Sequence, residues 1–100
     1  MIRGTTPTHT FELPFDVSLI KEAKIIYSQS DTQVLCKKAA ECEMQGNTIT
    51  VTLSQEETFK FDCKKMVQIQ VRILTHKAEA LATDVMEVPV KKCLDDEVIT

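Results

Sequence analysis

The sequence predicts an all-β fold: an immunoglobulin-like antiparallel sandwich of about seven strands with one short helical turn. Three observations lead there. Apolar residues alternate with polar ones over short runs, the runs are bounded by Pro, Gly, Asp, Asn and Ser, and they recur at a spacing of roughly ten residues. A length of 100 residues suits a single core. Residues 1–90 are therefore expected to form one domain, and 91–100 a flexible C-terminal tail.

In Thr8 to Leu13, His9, Phe11 and Leu13 share one face, and Pro14 ends the strand because it lacks an N–H for the ladder. The connection Asp16 to Glu22 has room for one helical turn. Ala23 to Gln29 places Ala23, Ile25 and Tyr27 on one face, and a polar loop Ser28-Gln29-Ser30-Asp31 leads into Gln33 to Lys38.

A fourth strand, Glu41 to Gln45, meets a fifth, Thr48 to Leu53, through Gly46-Asn47. Glycine supplies the positive φ that a type II′ hairpin needs at its first central position. Ser54-Gln55-Glu56-Glu57 then matches a capping box, and so starts a helical turn crossing between sheets. Phe59 and Phe61 are expected to pack over the end of the core.

Val67, Ile69, Val71 and Ile73 alternate with Gln68, Gln70 and Arg72, which marks a central strand. A turn at Thr75 to Glu79 returns the chain into Leu81 to Val90, where parity is ambiguous. Either Ala82, Met86, Val88 and Val90 point inward, or a bulge shifts the register partway. Pro89 puts this last strand at or near an edge. The expected core is Phe11, Ile25, Ile49, Val51, Val67, Ile69, Val71 and Ile73.

Composition narrows the function classes. Net charge is −3 and the isoelectric point near 5.3, an acidic balance unsuited to nucleic acid or anionic membrane. The doublets Lys37-Lys38, Lys64-Lys65 and Lys91-Lys92 could build a local basic patch, but they read first as solvated strand edges and turns. No apolar run approaches the length of a membrane span, and Met1 to Pro7 lacks the hydrophobic region of a secretory signal, so residence in a cytosol is expected.

Cys36, Cys42, Cys63 and Cys93 form no C-x-x-C pair and read as thiols behaving as small apolar residues, Cys93 exposed in the tail; a disulfide or metal role is the alternative. His9 shares the face of Phe11 and Leu13 and is expected to be partly buried and hydrogen-bonded. His76 is expected to be solvated in its turn. Neither has metal-ligand spacing, and a Cys63–His76 nucleophile pair would need hydrogen-bond reach and an orienting third group, a geometry that nothing in the spacing promises. Two glycines, Gly4 and Gly46, cannot build a phosphate cradle. No enzyme, cofactor, metal or small-molecule substrate is therefore expected. Function should lie in protein contacts, made either through an unpaired strand edge or through the polar ladder Gln68, Gln70 and Arg72 on the outer face of the central strand.

Met1-Ile2-Arg3-Gly4-Thr5-Thr6-Pro7-Thr8, Leu13-Pro14-Phe15-Asp16, Leu53-Ser54-Gln55-Glu56-Glu57-Thr58, Gln68-Ile69-Gln70-Val71-Arg72 and Leu94-Asp95-Asp96-Glu97-Val98 together resemble a family of short uncharacterised prophage proteins encoded among tail and baseplate genes of Gram-positive bacteria. The resemblance spans most of the chain and carries over no catalytic or ligand residue. It implies a non-enzymatic tail or baseplate structural or accessory protein, assembled in the host cytoplasm, carried in the virion tail, and partnered by other tail proteins or by itself as a homo-oligomer. The chain departs from the family's glycine-bearing hairpin at Thr75 to Glu79. Two other classes fit the residues alone: a small cytosolic regulator that binds a host protein, and a secreted adhesion module.

Overall fold

Alternating sequence becomes two packed sheets in the computed structural model, which describes residues 1–100. Eight strands occur in order: β1 (Thr8–Glu12), β2 (Ile20–Gln29), β3 (Thr32–Lys38), β4 (Glu43–Gln45), β5 (Thr48–Thr52), β6 (Val67–Thr75), β7 (Ala80–Ala82) and β8 (Met86–Val88). One helical turn, α1 (Gln55–Thr58), lies between β5 and β6, and single 3-10 turns occupy Val17–Leu19 and Ala39–Glu41. The smaller sheet runs β1-β5-β4; the larger runs β3-β2-β6, with β7 and β8 both paired to β6, and every pairing between these strands is antiparallel. The architecture is a two-layer all-β sandwich.

All eight residues expected in the core are buried, and Tyr27, Leu53 and Phe61 join them there. Period-two alternation explains why: in β6 each of Val67, Ile69, Val71, Ile73 and Thr75 is buried, while the residues between them are half-buried or exposed. Strands β2 and β6 are ten and nine residues long, whereas β1 and β5 have five each, so the small sheet covers only part of the large one. The molecule is accordingly elongated, 46 × 29 × 16 Å.

Three hairpins carry local chemistry. Gly46 has φ +60° while Asn47 stays negative, as a type II′ turn requires and type I′ forbids. That turn also receives the β1–β2 connection. Leu13 N donates to Asn47 O, Val17 N donates to Gly46 O, and Asn47 Nδ2 donates to Leu13 O.

The polar loop expected at Ser28 to Asp31 is instead the end of β2 followed by a two-residue turn. Ser30 (φ 48°) and Asp31 (φ 63°) both take the left-handed region, the type I′ signature, which fixes Gln29 opposite Thr32. At the third hairpin Ala78 takes φ 64°, the position usually given to glycine. Thr75 frames this hairpin, its carbonyl accepting from Ala78 N and its hydroxyl from Glu79 N.

Other boundaries shift for physical reasons. Strand β2 begins at Ile20 rather than Ala23, because a bulge at Lys21 lets Ile20 and Ala23 both face inward at odd spacing. The fourth strand starts at Glu43, its expected first residues being taken up by the 3-10 turn. The last strand is broken, and of its two readings the bulge is the right one. Arg72 opposes Ala82 while Ile69 opposes Met86, so Thr83-Asp84-Val85 faces only Gln70-Val71. Ala82 consequently faces outward beside Arg72, and Leu81, opposite Ile73, lies on the inner side of the sheet but stays exposed at its rim.

The capping box forms as expected. Glu57 N donates to Ser54 Oγ at 3.1 Å, and Ser54 N donates to Glu57 Oε1 at 2.8 Å. Phe61 packs against Tyr27 with ring centroids 6.0 Å apart, whereas Phe59 is half-buried beneath the first residues of the chain. There Gly4 N donates to Thr58 Oγ1, Thr58 Oγ1 donates to Thr5 O, and Arg3 stacks on the Phe59 ring and donates to its carbonyl. Gly4 has φ +78°, and a Cβ there would sit 2.5 Å from Phe59 Cζ, so both backbone and space call for glycine.

Residues 91–100 contain no strand or helix. Lys91 bridges Ile2 in parallel, Arg3 pairs with Asp96, and the Gln55 amide exchanges two hydrogen bonds with the backbone of Ile99. Cys93, expected to be exposed, is half-buried.

Candidate interaction face

The outer face of β6 follows from its parity: with Val67, Ile69, Val71 and Ile73 inward, Gln68, Gln70 and Arg72 must point outward. They line up along one strand, spanning about 13 Å from first to last. Arg72 is exposed, while Gln68 and Gln70 are half-buried by neighbouring side chains. Gln70 is already partly committed, since its Nε2 donates to Thr83 O at 2.9 Å. Beside it Thr83 Oγ1 accepts from Val71 N, so the bulge between β7 and β8 is stapled to β6 by side chains as well as backbone.

Strand pairing widens this face beyond the ladder. Ser28 and Glu87 flank Gln68, Ile26 lies beside Gln70, and Lys24 and Ala82 flank Arg72. On β3, Lys38 opposes Lys24 and Cys36 opposes Ile26. Lys24, Lys38 and Arg72 are all exposed and make no ion pair. Lys24 and Lys38 are the residues that sequence reasoning missed. Parity within Ala23 to Gln29 sufficed to turn Lys24 outward; which strands lie next to β2 did not follow from it.

Lys37 corrects the expectation for its doublet. It is buried on the inner face of β3, not solvated, and its Nζ lies 2.6 Å from Glu57 Oε2 and 3.4 Å from Glu41 Oε2. Burial alone would push the ammonium down, but the two carboxylates outweigh it and hold Lys37 above its ordinary pKa. Burial likewise opposes the charge on Glu57. The Lys37 ammonium and the Ser54 N–H overcome that and hold its carboxyl below the usual range.

The remaining polar clusters tie the fold together. Tyr27, fully buried, shares a 2.8 Å hydrogen bond with Nδ1 of His9, joining the two sheets. Burial pushes the Tyr27 hydroxyl up and the half-buried His9 imidazole down, so both stay neutral around pH 7. Gln29, also buried, uses its whole amide on the loop before β6, donating to Asp62 O and Lys65 O and accepting from Asp62 N.

The four cysteines are free thiols, each half-buried. Burial and the Glu41 carboxylate push the Cys42 thiol up, away from the nucleophilic thiolate. Cys63 precedes β6 and exposed His76 follows it, at opposite ends of a strand roughly 30 Å long. No three His, Cys, Asp or Glu side chains come together in a group fit for a metal ion. No helix is long and apolar enough to cross a membrane. The chain matches no protein-family model and no curated protein.

Proposed function

We propose that this domain is a non-enzymatic structural or accessory protein of a phage tail or baseplate, assembled in the cytoplasm of its bacterial host and acting by protein–protein contact through the outer face of its larger sheet. The observation that carries the contact surface is the outward row of side chains on β6 and its neighbours, in which Lys24, Lys38 and Arg72 are exposed and Gln68 is half-buried. The tail setting rests on the sequence resemblance. Side chains that converge elsewhere, at Lys37–Glu57, His9–Tyr27 and Gln29–Asp62, are consumed in holding sheets and loops together, so they support a scaffold better than a reaction centre.

Light scattering tests the reading. The domain alone and mixed with the products of the genes beside its own should give a homo-oligomer or a mixed complex, and Gln70→Glu with Arg72→Glu should weaken that association. A strictly monomeric domain that binds none of those products contradicts the tail assignment. Unchanged binding by the two variants removes the proposed face alone.

A further inference from the structure

Three like charges stand side by side across the larger sheet. Lys38 on β3 opposes Lys24 on β2, and Lys24 in turn opposes Arg72 on β6, so each is a direct cross-strand neighbour of the next. Adjacent strands lie about 4.8 Å apart, and like charges placed directly opposite destabilise a sheet. None of the three is in an ion pair: the ion pairs of this protein are Arg3–Asp96, Lys37–Glu41 and Lys37–Glu57. Two acidic groups stand close by, Glu22 two residues from Lys24 on the same strand and Glu41, whose carboxylate accepts from Lys38 N at 3.2 Å, but neither forms an ion pair with any of the three side chains.

The surroundings suit a protein better than a polyanion. One neighbouring row is Cys36, Ile26 and Gln70 and the other is Glu22, Leu74 and Ala80, so each margin of the cations carries two apolar or weakly polar side chains and one polar one. Shallow hollows of about 220 Å³ and 330 Å³ lie on either side of Lys24, the first bordered by Arg72 and Leu74, the second by Lys38 and Ala39, with Glu22 on the rim of both. The chain as a whole carries −3, which repels nucleic acid at long range, and three cations supply too few phosphate contacts to overcome that. We infer that the Lys38–Lys24–Arg72 row is the recognition element of the outer face and that its partner presents a cluster of Asp and Glu side chains on a protein segment. This rests on the reading of that face as a protein-binding surface and adds the chemistry of what it binds. A partner carboxylate removes a repulsion already present in the free sheet, so binding relieves strain as well as forming ion pairs.

Fluorescence anisotropy with a labelled peptide of Asp and Glu residues at low salt tests this, with a single-stranded oligonucleotide as the second probe. The wild-type domain should bind the peptide in a salt-sensitive manner, and Lys24→Gln with Arg72→Gln should weaken it by roughly tenfold. Lys24→Gln should also raise the melting temperature by about 1–4 °C, since it removes the middle charge of the row. No peptide binding by the wild type, equal binding by the double variant, tighter binding of the oligonucleotide, or a lower melting temperature for Lys24→Gln each overturns the inference. Two failures stay distinct. If the domain assembles with neighbouring tail products yet ignores the acidic peptide, only the acidic partner is wrong; if it binds the peptide but none of those products, only the tail setting is.

Discussion

Lys37 and Glu57 meet at 2.6 Å, and the same Glu57 carboxylate accepts from Ser54 N with its other oxygen, so one side chain both caps α1 and neutralises a lysine on the inner face of β3. The pair ties the helical turn to the larger sheet. Removing the carboxylate leaves a buried ammonium with only the longer Glu41 contact, whereas removing the lysine leaves a carboxylate that still has its cap. Glu57→Ala should therefore destabilise by about 2–3 kcal/mol, and Lys37→Met by less, measured by urea unfolding. Equal losses would show that the cap contributes nothing to holding Glu57.

Stability should fall on the acid side in two stages. His9 has a lowered pKa in the folded state, so the unfolded chain takes up its proton first, and stability declines as pH drops below about 6.5. Glu57 also has a lowered pKa; its contribution is present above the unfolded value of about 4.3 and is lost as pH falls through the folded one. Lys37 has the opposite sign, contributing fully below its unfolded value and losing that only as alkaline pH passes its raised pKa. Chemical unfolding across pH 4–7 should show the first decline, and His9→Gln should flatten it.

Non-glycine residues in left-handed turns offer stabilising substitutions. Ala78 has φ 64°, and Ala78→Gly should raise stability by about 0.5–1 kcal/mol, the conformational gain exceeding the entropy cost of glycine. Ser30→Asn with Asp31→Gly should act in the same direction by restoring the favoured type I′ pair. A melting temperature lowered by Ala78→Gly would mean that this turn is not left-handed in solution.

Gln29 anchors the loop before β6 through three hydrogen bonds from one buried amide. Gln29→Ala should cost about 2–3 kcal/mol, because it strands Asp62 N and two carbonyls. Hydrogen exchange should then quicken at Asp62. Unchanged exchange there would show that the loop is held by backbone alone.

The thiols should be dispensable. Each is half-buried and unpaired, so replacing Cys36, Cys42, Cys63 and Cys93 with alanine or serine should leave a folded domain. Stoichiometric zinc in the native protein, with unfolding on chelation, would contradict this.

How much of this was legible depended on whether a residue's role is local. Parity alone put Phe11, Ile25, Ile49 and Val71 inside, and the spacing of Ser54 and Glu57 alone specified the capping box, because both rules act within one element. Lys37 read as solvated because its partners Glu41 and Glu57 reach it only through the 3-10 turn and the helix crossing. The same limit hid the cation row. Lys24, Lys38 and Arg72 are far apart in sequence, and only the pairing order β3-β2-β6 makes them neighbours. Bulges set the remaining limits: the extra residue at Lys21 let β2 start within what read as a connection, whereas the one between Ala82 and Met86 was one of two readings that the mixed parity of Leu81 to Val90 left open.

The proposed binding face is most directly tested by chemical-shift mapping on the isotope-labelled domain, titrated with the products of the genes beside its own. Perturbations should concentrate on the outward positions of β2, β3 and β6, around Lys24, Lys38, Gln68 and Arg72. Perturbations confined to β1, β4 and β5, or none with any of those proteins, would contradict the assignment of the larger sheet as the surface through which this domain acts.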